Sequence, residues 1–171
     1  LLAAVIGGKI QGADFSLMGK VLKDTCRQMW KTVVTIMSIM AMAKIMSHSG
    51  MIAEIAGMMV ALTGSFYPAA APFVGAIGTF VTGSGTSANV LFGGLQVETA
   101  GSLGLDPSWL AGANTVGATI GKMISPQSIA VGTAATASVG SESKILRKVI
   151  KYCVLFIIIA GLVAYAGSRF A

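Results

Sequence analysis

The chain has 171 residues, of which 54% are hydrophobic and only 11% charged, and its mean hydropathy is +0.81. A soluble globular domain carries about 25% charged residues, so this composition argues against a soluble enzyme and against a disordered chain, which needs low hydrophobicity and high charge. The excess of 12 Lys and Arg over 6 Asp and Glu is poorly explained by nucleic acid, which asks for many exposed basic residues around a soluble core; in a membrane protein a modest basic excess belongs on the cytoplasmic side.

Leu1 to Gly8 starts abruptly in apolar sequence, without an initiator Met or a leader pattern. It is expected to be the tail of a preceding span, with the chain as the C-terminal part of a longer protein. Up to residue 31 the sequence is basic: Lys9, Lys20, Lys23, Arg27 and Lys31 against Asp14 and Asp24. Interleaved Leu17, Val21, Leu22 and Met29 predict an interfacial amphipathic helix there. Residues 32–65 are expected to hold a transmembrane helix, Met-rich from Trp30 to Ser47, and an interfacial helix, Met51 to Leu62. The latter, at about 18 Å, is too short to cross a core of about 30 Å. Trp30 suits a headgroup anchor, and Lys44 would reach water by snorkelling.

Ile55 to Val97 carries no formal charge for 43 residues. Pro68 and Pro72 restrict its start, and Gly83-Ser84-Gly85-Thr86-Ser87 favours a turn in its middle. The flanking helices, Ala69–Thr82 and Ala88–Ala100, would each be roughly 20 Å long. Residues 66–100 are therefore expected to form a re-entrant helical hairpin with its tip at 83–89. Residues 108–138 repeat the theme. Ala113, Gly117 and Gly121 recur every four residues, spacing that lets another helix approach closely. Ile124-Ser125-Pro126-Gln127-Ser128 then interrupts the helix, because Pro126 cannot continue it but can open a new one behind Ser125 as N-cap. This predicts a broken transmembrane helix with its break at 124–128. A C-terminal transmembrane helix is expected over 145–168, with 17 uncharged residues from Tyr152 to Ser168. The fold class is thus an all-α, polytopic membrane protein. Both basic clusters, 9–31 and 144–151, fall on the cytoplasmic side in this topology, as the positive-inside rule asks.

Broken helices persist in hydrocarbon only when buried in protein or lining a cavity, and secondary transporters use them to aim half-helix N-termini at anions. The candidate substrate-binding residues are therefore Ser84, Gly85, Thr86, Ser87 and Asn89 at the tip, and Ser125, Pro126, Gln127 and Ser128 at the break. Lys122 joins them: a charge at the bilayer centre costs about 3 kcal/mol or more, so it should face water or a partner such as a carboxylate. Their alternative roles are turn closure, capping and pairing with a carboxylate elsewhere. His48 and Glu54 are candidates for proton coupling beside Lys122, with capping or interfacial roles as the alternative. With one His and with Cys26 and Cys153 far apart, no metal site or cofactor is expected. Gly117 to Met123 evokes a phosphate loop but lacks its glycine spacing and its Ser/Thr.

Gly83-Ser84-Gly85-Thr86-Ser87-Ala88-Asn89-Val90-Leu91-Phe92-Gly93, Gly121-Lys122-Met123-Ile124-Ser125-Pro126-Gln127-Ser128-Ile129-Ala130 and the Ser47-His48-Ser49-Gly50-Met51 junction resemble the bacterial L-lactate permease family over nearly the whole chain. That resemblance implies proton-coupled import of lactate and related 2-hydroxy monocarboxylates such as glycolate across the inner membrane. It also implies one repeat of an inverted-repeat transporter of the ion transporter superfamily, partnered by a missing N-terminal half; a homodimer stays open. No acidic residue lies in 55–97 or 123–141. Coupling would then run through Lys122 or through the missing half. The rival readings are a sodium-coupled carrier of another carboxylate or anion, and a non-transporting membrane assembly subunit.

Overall fold

The computed structural model describes residues 2–12, 14–136, 138 and 140–170. Leu1 and Ala137, within the expected first and fourth segments, lie outside the described residues, as do the side chains of Lys31 and Ser47. Among the described residues every regular element is helical: α1 Leu2–Ile10, α2 Phe15–His48, α3 Met51–Thr63, a 3₁₀ turn Gly64–Phe66, α4 Tyr67–Thr82, α5 Gly85–Leu103, α6 Pro107–Gly121, α7 Pro126–Ala135 and α8 Glu142–Gly167. The expected all-α membrane fold is what the chain adopts.

The chain forms two compact units, Leu1–Ser38 and Ile39–Ala171. In the first, α1 is followed by a turn at Gly12 (φ 80°), and Lys9 Nζ stands 4.0 Å from the centre of the Phe15 ring. The basic segment and the Met-rich segment belong to one helix, α2. Nothing interrupts it, since residues 20–48 hold neither proline nor glycine.

In the second unit, Met51–Thr82 and Glu142–Gly167 are the two helical stretches, among the described residues, long and apolar enough to cross a membrane. The first is bent: Gly64 has φ 52° and ψ −134°, so α3 and α4 are not one straight rod. The hairpin helices α4 and α5 have 16 and 19 residues, about 24 and 28 Å, and only Gly83 and Ser84 separate them. The irregular tip is thus shorter than 83–89. Ser84 is extended (φ −138°, ψ 122°) and its side chain accepts from the Ser87 N–H, so a capped helix begins at once.

Small residues set the packing. A Cβ on Gly117 would collide with the Pro72 backbone, one on Gly121 with the Ala76 backbone, and one on Gly75 with the Asn114 backbone. The four-residue spacing of Gly117 and Gly121 therefore marks a close helix approach, and its partner is α4, running parallel to α6. The α5 helix is antiparallel to both: Gly85 lies beside Ala118, and Asn89 bonds Asn114. Helix α8 is antiparallel to α6, tied by Trp109 Nε1 to Ala164 O (2.9 Å) at one end and by Cys153 Sγ to Ile120 O (3.8 Å) at the other. Tyr67, Ala71, Ala100 and Leu110 form the core cluster, far along α5 from Gly85. Ile77, Phe80, Val81, Val116, Leu155 and Ile158 remain exposed, as suits surfaces that meet lipid tails.

Candidate functional site

Helix ends build the site. Chain reversal at Gly83 needs φ 71°, a conformation only glycine takes freely, and the Gly83 N–H closes α4 on Thr79 O (2.8 Å). The side chain of Gln127 lies so close to Gly83 that a Cβ there would strike Oε1. The hairpin turn and the helix break therefore meet. The C-termini of α4 and α6 and the N-termini of α5 and α7 gather at this point, which presents partial positive and partial negative charge side by side.

The break is a tightened turn rather than open coil. Met123, Ile124 and Ser125 N–H donate to Ile120, Gly121 and Lys122 carbonyls at 3.0, 3.2 and 3.3 Å, the i to i+3 pattern of a 3₁₀ turn. Helix α7 then opens on Pro126, and Ser125 O accepts from Ile129 N–H at 3.0 Å. Ser125 holds the expected N-cap position, but its hydroxyl does not cap. It is fully buried and has no partner among the described residues. Thr79 Oγ1, on the last turn of α4, is a second buried hydroxyl without a partner among the described residues.

The other candidates divide. Ser84 caps α5, and Ser87, 7% exposed, receives that cap on its N–H. Thr86 is exposed at the start of α5, Ser128 half-buried in α7, and Pro126 exposed. Lys122, where α6 stops, is exposed and forms no ion pair among the described residues. His48 Nδ1 lies 2.9 Å from Lys44 O, a local bond at the end of α2. Glu54 is exposed in the first turn of α3. The α3 helix meets α5 where Ile52 approaches Gly94, about 13 Å along α5 from Gly85.

Behind the tip, Asn89, a candidate from the sequence, ends a line of polar side chains whose other members are not among the sequence candidates. Tyr67 Oη donates to Gln96 Oε1 (3.0 Å), Gln96 Nε2 to Asn114 Oδ1 (3.1 Å), and Asn114 Nδ2 to Asn89 Oδ1 (2.8 Å). Tyr67 and Gln96 are 0% exposed and Asn114 is 1%. Their signal was available, since uncharged amides inside apolar helices usually bond across helices; a search guided by charge passes over them. An apolar groove of about 530 Å³ along α6 and α8, from Trp109 to Phe156, lies apart from this polar line.

The sequence profile of the family described as L-lactate permease matches residues 1–169. The chain belongs to that family. Its members are transporters, not enzymes. Relatives of this family chain include an L-lactate permease of Bacillus subtilis (strain 168), 41% identical over 96% of the chain and 29% of the relative. A glycolate permease of Escherichia coli (strain K12) is 39% identical over 95% and 29%, and an L-lactate permease of Streptococcus iniae 52% identical over 65% and 23%. The chain thus spans less than a third of these relatives' lengths. No solved structure matches it.

Proposed function

We propose that this chain, as the C-terminal part of a protein of its relatives' length, supplies half of the substrate site of a proton-coupled symporter. Its cargo is L-lactate and related 2-hydroxy monocarboxylates such as glycolate, crossing the bacterial plasma membrane. The carrying observation is the contact of Gln127 with Gly83, which gathers the N-termini of α5 and α7 where a carboxylate would be stabilised by N–H groups and dipoles. Ser84, Thr86, Ser87, Asn89, Gln127 and Ser128 would bond its oxygens, and Lys122 would pair with its charge. The permease names of the relatives support the cargo. The proton role falls to Lys122 rather than to His48, already engaged with Lys44 O, or to Glu54, on the helix that packs farther along α5. The region 66–100 would be re-entrant, with the missing half supplying the facing repeat.

The test is lactate uptake into proteoliposomes by the full-length permease. Lys122→Ala is expected to abolish uptake driven by a proton gradient; uptake at the wild-type rate would overturn the role of Lys122. A second reading, sodium coupling, is favoured by the sealed hydroxyls of Thr79 and Ser125 next to the carbonyl ends of α4 and α6. A strict sodium requirement would replace the proton with that ion.

A further inference from the structure

The direction of the buried polar line matters for the chemistry at its end. Each amide in it is oriented by the one before: the Tyr67 hydroxyl donates to the Gln96 oxygen, which leaves the Gln96 nitrogen for the Asn114 oxygen, and the Asn114 nitrogen for the Asn89 oxygen. The line therefore delivers a donor to the Asn89 oxygen. Asn89 is half-buried on the second turn of α5, and its Nδ2 has no partner among the described residues. A carboxamide whose oxygen is held from behind turns its N–H groups to the front. That favours an anion and rejects a cation.

We propose that Asn114, backed by Gln96 and Tyr67, is a positioning residue that locks the Asn89 carboxamide with its Nδ2 hydrogens presented to the substrate carboxylate. Asn114 is 1% exposed and already bonded at both its oxygen and its nitrogen, so it acts through Asn89 and not on the cargo. This inference rests on the reading of the tip as the carboxylate site. Left to itself the Asn89 amide is free to turn and to offer its oxygen to the anion, which repels it. Fixing the side chain in advance removes that ordering cost from binding.

The experiment is lactate uptake by the full-length permease in proteoliposomes, with KM and Vmax measured for single and double variants. Asn114→Ala is expected to raise KM about tenfold, the size of one hydrogen bond to a charged group, with Vmax within about twofold of wild type. In an Asn89→Ala background, Asn114→Ala is expected to change KM no further, because its only route to the substrate is gone. Should Asn114→Ala accumulate poorly, Asn114→Leu keeps the volume. It has no donor for the Asn89 oxygen, so the Asn89 amide is left free to turn and KM rises at least as much. Tyr67→Phe, farthest from the site, is expected to raise KM only about twofold to threefold. A purely structural Asn114 would impair transport equally in both backgrounds, and that result, or a wild-type KM for Asn114→Leu, overturns the inference. Wild-type uptake with a KM untouched by Asn89→Ala removes this inference alone. A wild-type protein that carries neither lactate nor glycolate removes the transport reading and this inference with it.

Discussion

Gln127 rests against the α-carbon of Gly83, and no side chain fits between them. Two segments 44 positions apart in the chain are thereby fixed to one another, one where a helix has just ended and the other where a helix has just begun. Gly83 is required twice over, by its φ of 71° and by its neighbour. Gly83→Ala is expected to lower stability by roughly 1–3 kcal/mol and to lower lactate uptake. Adding Gln127→Ala should recover part of the stability, since it removes the collision but not the backbone strain. Thermal unfolding in detergent reads both; an unshifted Tm for Gly83→Ala would contradict the contact.

Close approach of α4 and α6 makes a second, position-specific expectation. Gly117→Ala and Gly121→Ala force a methyl into the backbone of Pro72 and Ala76, at roughly 1–3 kcal/mol each or more. Gly112→Ala, on the same helix with open space around it, should be neutral or stabilising by up to about 1 kcal/mol. Equal Tm shifts at all three sites would show that helix propensity, not packing, governs α6.

The buried hydroxyls of Thr79 and Ser125 lack partners among the described residues, and a buried polar group left unpaired costs about 1–3 kcal/mol. Thr79→Val and Ser125→Ala are therefore expected to raise the Tm of the substrate-free protein by a few degrees while impairing uptake, the pattern of groups held ready for a ligand. A lowered Tm with intact transport would assign both hydroxyls to structure instead.

At the start of α8, well before its apolar run begins at Tyr152, Glu142 Oε1 accepts from the Gly140 N–H (3.1 Å) and the Thr133 hydroxyl (3.0 Å), which ties α7 to α8. Its own N–H, then that of Gly140, then Thr133 hold its carboxyl below the usual carboxylate range. A lowered folded value means the tie is complete above the ordinary range and is lost as pH falls through the lowered one. Hydrogen-exchange protection of the Gly140 amide should hold at neutral pH and fall in acid. In Glu142→Gln that pH dependence should vanish, and its persistence would discard the tie.

Charge-free runs, glycine-serine stretches and prolines gave the helical membrane architecture, the turn after Thr82 and an interruption around Pro126 directly from the chain, because lipid penalises unpaired backbone and so limits the choices to helices and their rare, marked breaks; the helix stops at Gly121, ahead of the expected break at 124–128. Local chemistry also located the small residues of α6. What local chemistry cannot carry is partnership across distance. That α4 is the helix pressed on Gly117, that Gln127 covers Gly83, and that Tyr67, Gln96, Asn114 and Asn89 join into one directed line all depend on which helices lie side by side. Each amide or hydroxyl taken alone has many partners in reach of an isolated helix, and only the packed bundle, with its register fixed by glycine contacts, leaves one. The extent of the irregular tip was overread for the same reason: glycine, serine and threonine permit a loop, but Ser84 uses its side chain to start α5 immediately. The sequence by itself marked, to within a few residues, where the backbone departs from regular helix. Tertiary packing settled that the two departures touch.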